Sequence, residues 1–346
     1  MRRSTDQQLR ARIVRLRALL EDLLDLDAVF STTRAVVMRG RPRVPMMDFQ
    51  TAAGGRLAAA GYDYQIDIAN APGMTAERVL LNIRLQAIET TFPWLNLLLF
   101  GLTVVVVYFT LGIDFTAWFL AILLFHEFGH FFAARYHNMD TSWPYFIPAP
   151  GFFFGTLGAV IRIRAPFRDR RSLFDMAVAG PLAGFVISVI AIFVGLHLST
   201  TTMNAPSDAL YFGDSLLFKF ASAIIFPNLP ANADIMLHPI GFAGWAGLLV
   251  TMLNLLPMGQ LDGGHIAYAM FGRYQRYIGM VVLAGLAVAS YFWLGWLLWV
   301  FIGLIMKPQH PPTLVDELPI GPGRRLLGWL AFAIFAVSFI PVPVTF

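Results

Sequence analysis

Residues 116–135 read TAWFLAILLFHEFGHFFAAR, an apolar run that carries two histidines and a glutamate. A helix crossing a bilayer needs roughly 20 predominantly apolar residues, so this run is read as a membrane span. His126 and His130 are four positions apart. On a helix they share one face, about 6 Å apart along the axis. Two imidazoles in that relation suit one Zn²⁺, with Glu127 beside them as a general base for an attacking water. The plainer reading is a helix whose buried His and Glu satisfy one another. Ionisable groups inside a span are costly and mark function by default, and three of them within five residues ask for more compensation than a stray hydrogen bond.

The rest of the chain is consistent with a membrane setting. Its 346 residues are 57% hydrophobic and only 13% charged, against about 25% charged in a soluble domain. Mean hydropathy is +0.64. No cysteine is present, which excludes disulfides and thiolate ligands and leaves His, Asp and Glu to hold a metal. The net charge is +4, but the arginines are scattered rather than gathered into a patch, and no nucleic-acid partner is expected. The first thirty residues carry Arg2, Arg3, Arg10, Arg12, Arg15 and Arg17 without an apolar core before a small-residue site, so they do not read as a cleaved signal peptide.

Two regions follow from the pattern. Residues 1–92 hold thirteen arginines and no run long enough to span. Helical spacing of Leu9, Ile13, Leu16, Leu20 and Leu23 predicts an amphipathic helix over 6–26. Strands are predicted at 35–38, 62–68 and 78–85 and a helix at 47–60. The expectation is a small soluble α/β domain with a two- or three-stranded sheet. Residues 93–346 read as a polytopic membrane domain, with apolar stretches at 95–112, 116–135, 172–196, 239–257, 275–306 and 325–343.

Charge orients these spans. The connections at 162–171, 273–276 and 307–325 are basic, whereas 113–115 and 198–238 carry Asp114, Asp208, Asp214 and Asp234 against Lys219 alone. Lysine and arginine collect in cytoplasmic loops. All the basic loops share one side only if 275–306 is crossed twice, turning near 291–295. That favours seven spans over six, with the N-terminal domain in the cytoplasm. Within 144–164, Pro144, Pro148 and Pro150 are followed by Gly151, Gly155 and Gly158, and 156–164 alternates like a strand. Non-helical backbone at membrane depth survives only where it is buried in protein or lines a wet cavity. This segment is therefore a candidate wall of an active-site cavity.

Catalytic zinc usually takes three protein ligands. Residues 254–265 read NLLPMGQLDGGH, and Asp262 falls at the same depth as His130. Pro257 would unwind the helix end, and Gly263 and Gly264 would let backbone approach the metal. Two alternatives stay open. Asp262 caps the following helix, or Glu317 in the proline-rich stretch 310–320 is the third ligand. His265 suits either a contact behind a ligand or a helix-start hydrogen bond. His137, His197, His238 and His310 sit at or beyond span ends and read as solvated or structural. The aromatic run 291–299 reads as interfacial anchoring.

HEFGH at 126–130 together with NLLPMGQLDGG at 254–264 resembles the site-two protease family of intramembrane metalloproteases, whose pattern is HExxH plus NxxPxxxLDG. The stretches 155–185 and 310–329 resemble a branch with a soluble N-terminal domain and no PDZ domain, found in bacteria and plastids. The resemblance implies Zn²⁺ on His126, His130 and Asp262, Glu127 as the water-activating residue, Asn254 near the scissile peptide, and the 144–164 segment as a membrane-embedded β-hairpin or re-entrant segment near the substrate. It implies single-span membrane proteins as substrates, cleaved within the lipid bilayer, and an integral protein of the bacterial inner membrane. The alternative is a catalytically silent scaffold or transporter-like protein with a structural zinc. Such a site has no need of Glu127.

Overall fold

A computed structural model describes residues 2–31, 35–69, 78–85, 92–164, 166–203, 210–230 and 232–345. Asp208, one of the acidic loop residues, lies outside the described residues. The chain forms two compact units: Met1–Phe92 with Ile163–Asp169 and Thr313–Pro319, and Pro93–Arg162 with Arg170–Pro312 and Ile320–Phe346.

In the first unit, α1 (Arg2–Leu20) leads to β1 (Leu24–Ser31), β2 (Ala35–Pro42), α2 (Met46–Ala59), β3 (Asp63–Ala69) and β4 (Arg78–Arg84). The helix expected over 6–26 ends at Leu20, because Leu24 and Leu26 alternate with Asp25 and Asp27 and a period of two takes over. The sheet accordingly has four strands, ordered β1-β2-β4-β3 and antiparallel throughout, rather than two or three. One face buries Val36, Met38, Val79, Leu81 and Ile83 against Leu16 and Leu20 of α1 and Phe49, Ala53 and Leu57 of α2. The intervening residues Val37 and Leu80 point the other way and are covered by Leu314, Val315 and Leu318, some 230 residues or more further along the chain. Arg39 Nη1 donates to the Leu314 carbonyl at 2.7 Å, and Leu314 and Val315 donate backbone N–H groups to the carbonyls of Phe167 and Arg168.

The second unit opens with α3 (Trp94–Tyr136), broken at Gly112, where φ is 79° and ψ is 176°. Only glycine takes that conformation without strain. The break reverses the chain. Asn96 Nδ2 donates to the carbonyl of Trp143 at 3.0 Å, and the Trp143 ring lies 5.1 Å from that of Phe131. In a straight helix residues 96 and 131 would be about 50 Å apart.

A hairpin of β5 (Tyr145–Pro148) and β6 (Thr156–Val160) follows, with a bulge between Phe146 and Pro148. Next come α4 (Arg170–Leu198), β7 (Thr200–Thr202), β8 (Tyr211–Phe212), α5 (Leu216–Ile225), β9 (Asp234–Met236) and α6 (Pro239–Asn254). The connection 198–238, read from sequence only as an acidic loop, thus carries short strands and a helix. The chain continues through α7 (Asp262–Phe271), α8 (Gln275–Ala289), α9 (Trp296–Met306) and α10 (Pro322–Ser338) to β10 (Val344–Thr345).

Two of these helices, α3 and α4, are long and apolar enough to cross a bilayer, whereas α6 and α9 are shorter apolar helices. The 275–306 stretch is two helices whose outer ends meet, for Gln275 Nε2 donates to the Pro308 carbonyl at 3.0 Å. The interior gathers Phe115, Phe119, Leu123, Ile192, Trp245 and Leu248. Large apolar side chains such as Phe109, Phe301 and Leu326 remain on the surface, as bilayer solvent requires.

Candidate active site

The site lies in the second half of α3 and at the start of α7. His126, Glu127 and His130 are all buried on α3. Asp262 is the first residue of α7; the residue before it, Leu261, occupies the N-cap position and makes no side-chain capping bond. The Asp262 carboxylate is turned toward the histidines instead. Its Oδ2 lies 3.4 Å from His126 Nε2 and 3.3 Å from His130 Nε2. The two Nε2 atoms are 3.1 Å apart. Among the described residues this is the single cluster of three or more His, Asp or Glu donors within metal-binding range.

Three edges of 3.1–3.4 Å can be compared with a coordination polyhedron. A tetrahedral zinc with bonds of 2.0–2.1 Å separates its donors by about 3.3 Å. Two neutral imidazoles and one carboxylate are also a donor set that zinc takes in catalytic sites. The residues present fit the ion.

The surroundings fix each ring. His130 Nδ1 lies 2.7 Å from the Met176 carbonyl on α4. A carbonyl only accepts, so Nδ1 carries the proton and the Nε2 lone pair is left facing the cluster. Space for the rings comes from missing side chains. A Cβ at Gly180 would fall 2.2 Å from His130 Nε2, and one at Gly184 would fall 3.1 Å from His126 Nδ1. Asp262 is set by a similar device. A Cβ at Gly263 would meet the Leu255 carbonyl oxygen at 2.0 Å, so the first turn of α7 nests on the backbone that follows α6. The two glycines expected to approach a metal therefore approach main chain. Asn254, the last residue of α6, has its Nδ2 3.3 Å from His126 Nε2. The backbone N–H of Ile161, the residue just after β6, faces the Glu127 carboxylate.

The other residues singled out from sequence are not members of that cluster. Glu317 belongs to the first unit and pairs with Arg78 at 3.3 Å. His265 Nδ1 lies 2.6 Å from Nε2 of His310. His310, read as solvated or structural, is buried and stacks on Tyr268. His137 pairs with Asp175, and His238 caps α6. The Met176 carbonyl, Gly180, Gly184 and the Ile161 N–H were not singled out from sequence. The GxxxG spacing of Gly180 and Gly184 was the available signal, since small residues four apart let helices approach closely in membranes.

A helix-borne histidine pair with an adjoining glutamate and a carboxylate from a second helix defines the class of HExxH metal centres. Residues 114–292, just over half of the chain, match the description Peptidase family M50, and the chain belongs to that family. Among curated proteins, it is 35% identical over 233 residues to "Probable zinc metalloprotease EGY1, chloroplastic" of Arabidopsis thaliana, covering 64% of this chain and 42% of that protein. It is 35% identical over 239 residues to the protein of the same name from Oryza sativa subsp. japonica, covering 64% and 39%. It is 30% identical over 231 residues to "Probable zinc metalloprotease EGY2, chloroplastic" of Arabidopsis thaliana, covering 64% and 40%. The chain thus matches about two fifths of the length of these relatives. No solved structure matches it.

Proposed function

We propose that this protein is a zinc-dependent endopeptidase that cleaves membrane-protein substrates within or at the edge of the bilayer. The observation that carries the reading is the triangle of His126, His130 and Asp262 donors at zinc-like separations with Glu127 on the same helix. These three residues would hold the ion, which supplies Lewis acidity toward the peptide carbonyl. Glu127 takes a proton from the water whose oxygen adds to the carbonyl carbon. It then delivers that proton to the leaving nitrogen as the C–N bond breaks. The Ile161 N–H faces the Glu127 carboxylate, and the Asn254 amide, close to His126, would hydrogen-bond the substrate or the developing oxyanion. The names of the relatives support zinc and proteolysis. The silent-scaffold alternative leaves Glu127 without a role.

The proposed substrates are single-span proteins, whose helix must unwind locally because an intact helix hides its peptide bonds. The proposed topology places the loops 162–171, 273–276 and 307–325 on the cytoplasmic side. The meeting of Gln275 with Pro308 supports a hairpin of α8 and α9 whose ends share that side. At 15 and 11 residues these helices are short for full crossings, and the hairpin keeps the sidedness whether or not it spans completely. With the crossing counted twice, the spans number seven. The bacterial inner membrane is the proposed location, although the relatives compared are chloroplastic. The first unit is proposed to recruit or filter substrates in place of a PDZ domain.

The test is Glu127→Gln in purified protein, read by zinc content and by cleavage of a model membrane peptide. Zinc at about one per chain with cleavage abolished is expected. Cleavage near the wild-type rate would overturn the general-base role.

A further inference from the structure

The hydrogen bond that orients His130 is made to another helix, so the site depends on the register of α3 against α4. Met176, whose carbonyl accepts the hydrogen bond from His130 Nδ1, directly follows Asp175. Asp175 is held from two sides. Arg324, near the start of α10, grips it with both arms of the guanidinium, Nε to Oδ1 at 2.7 Å and Nη2 to Oδ2 at 2.7 Å. His137, which closes α3 seven residues after His130, brings Nε2 to 2.8 Å from the same Oδ2. The Asp175 carboxylate is therefore a three-helix junction, one end of it on the helix that bears the histidine pair and the other on the turn that supplies the acceptor.

We infer that Asp175 is a positioning residue for the metal centre: pinned by His137 and Arg324, it sets the Met176 carbonyl against His130 and so aims the Nε2 lone pair at the metal. The inference rests on the proposed zinc site. Two physical points give it weight. Charge-assisted, bidentate Arg–carboxylate pairs fix geometry as well as adding energy. The tolerance for slip is also small, because the Gly180 Cα faces the His130 ring with no room for even a methyl group, and a Cβ at Gly129 would fall 2.5 Å from the Ala179 carbonyl oxygen. A shift of a few tenths of an ångström between α3 and α4 reaches the ring directly. Acceptors behind metal-ligating histidines typically change metal affinity by about 10–100-fold when lost, and Asp175 acts one residue removed from such an acceptor.

The experiment compares full-length wild type, Asp175→Asn, Arg324→Lys, His130→Ala and Leu196→Ala. Leu196 is buried in the far part of α4 and serves as a packing loss remote from the junction. Zinc affinity is measured by chelator competition, and the electronic spectrum of the Co²⁺-substituted protein reports ligand geometry. Asp175→Asn is expected to weaken zinc binding about 10-fold and alter the Co²⁺ spectrum, with Arg324→Lys, which keeps the charge but loses the fork, falling between it and wild type. Leu196→Ala should lower the melting temperature and leave both readouts unchanged. Wild-type affinity and spectrum in folded Asp175→Asn, or an equal change in Leu196→Ala, would overturn the inference. Where Asp175→Asn does not fold, Arg324→Lys decides alone, and wild-type values there overturn it equally. Retention of zinc by His130→Ala would instead defeat the underlying site assignment.

Discussion

The first unit and the helices around the metal site bury their interiors by opposite means. In the first unit the interior is made of large side chains: Phe49, Leu57, Leu81 and Ile83 are fully buried between sheet and helices. Water drives that burial, and each such side chain contributes about 1.5–3 kcal/mol. Around His126 and His130 the decisive positions are those without side chains, Gly180, Gly184 and Gly263. Lipid offers little hydrophobic drive between helices, so close backbone approach and satisfied polar groups take its place. The consequence is a difference in tolerance. A truncation in the first unit leaves a cavity that costs stability; an added methyl at the metal site displaces a ligand.

The comparison is tested hardest at the ligand itself. Asp262→Ala should lower zinc affinity by more than the roughly 10–100-fold typical of outer-shell losses, measured by metal analysis after dialysis, whereas Glu317→Ala should leave zinc unchanged. The reverse result would reassign the third ligand. Next in size is Gly180→Ala. Its new methyl would overlap the His130 ring, and zinc affinity should fall about 10-fold or more while overpacking destabilises the second unit by about 1–3 kcal/mol. Normal zinc binding in that variant would show that the helix contact is looser than described.

A contrasting loss is expected from Leu57→Ala. It should destabilise the first unit by about 2–5 kcal/mol in denaturant unfolding, with zinc content unaltered. This truncation separates the two regions more cleanly than deleting residues 1–92. Deletion would also strip Val37 and Leu80 from Leu314, Val315 and Leu318, which belong to the same unit.

The smallest effect lies at the surface. The Arg56 guanidinium hydrogen-bonds the Asp22 carboxylate at 2.6 and 2.8 Å and holds its pKa below the usual carboxylate value. A depressed folded-state pKa stabilises above the unfolded value of about 3.9 and is lost as the pH falls through the folded one. Arg56→Ala should therefore cost a little more stability near neutral pH than in strong acid, where only its hydrogen bond to the Leu19 carbonyl is left to lose, compared by thermal unfolding at both. An equal cost at both pH values would mean that Arg56 acts through contacts that do not titrate, such as its 2.9 Å hydrogen bond to the Leu19 carbonyl.

Legibility in the sequence followed the range of the interaction. The β3 and β4 segments were readable from alternation, because a period of two selects which face is apolar, and β2 from a short apolar run ended by Gly40 and Pro42. The same logic failed at 21–26, where Leu23 satisfied a helical spacing while Leu24 and Leu26 already alternated with aspartates. The fourth strand was missed for that reason. For the apolar stretch 275–306, length left one long helix or two short ones open and the basic loops favoured two turning near 291–295; the structure divides it between Ala289 and Trp296.

The site divides along the same line. Sequence alone placed His126 and His130 on one helix face and set Glu127 between them, since 3.6 residues per turn leaves no choice once the segment is helical. It also offered Asp262 as a carboxylate beside a glycine pair, without deciding between a ligand, a cap and the rival Glu317. Tertiary structure alone decided that the Asp262 oxygen stands 3.3–3.4 Å from both imidazoles, that a backbone carbonyl of Met176 holds the His130 proton, and that Arg324 reaches Asp175 from 149 positions away. Those contacts join helices distant in the chain, and the Met176 carbonyl, like the missing Cβ of Gly180 that makes room for the His130 ring, is not a side chain for a sequence pattern to display.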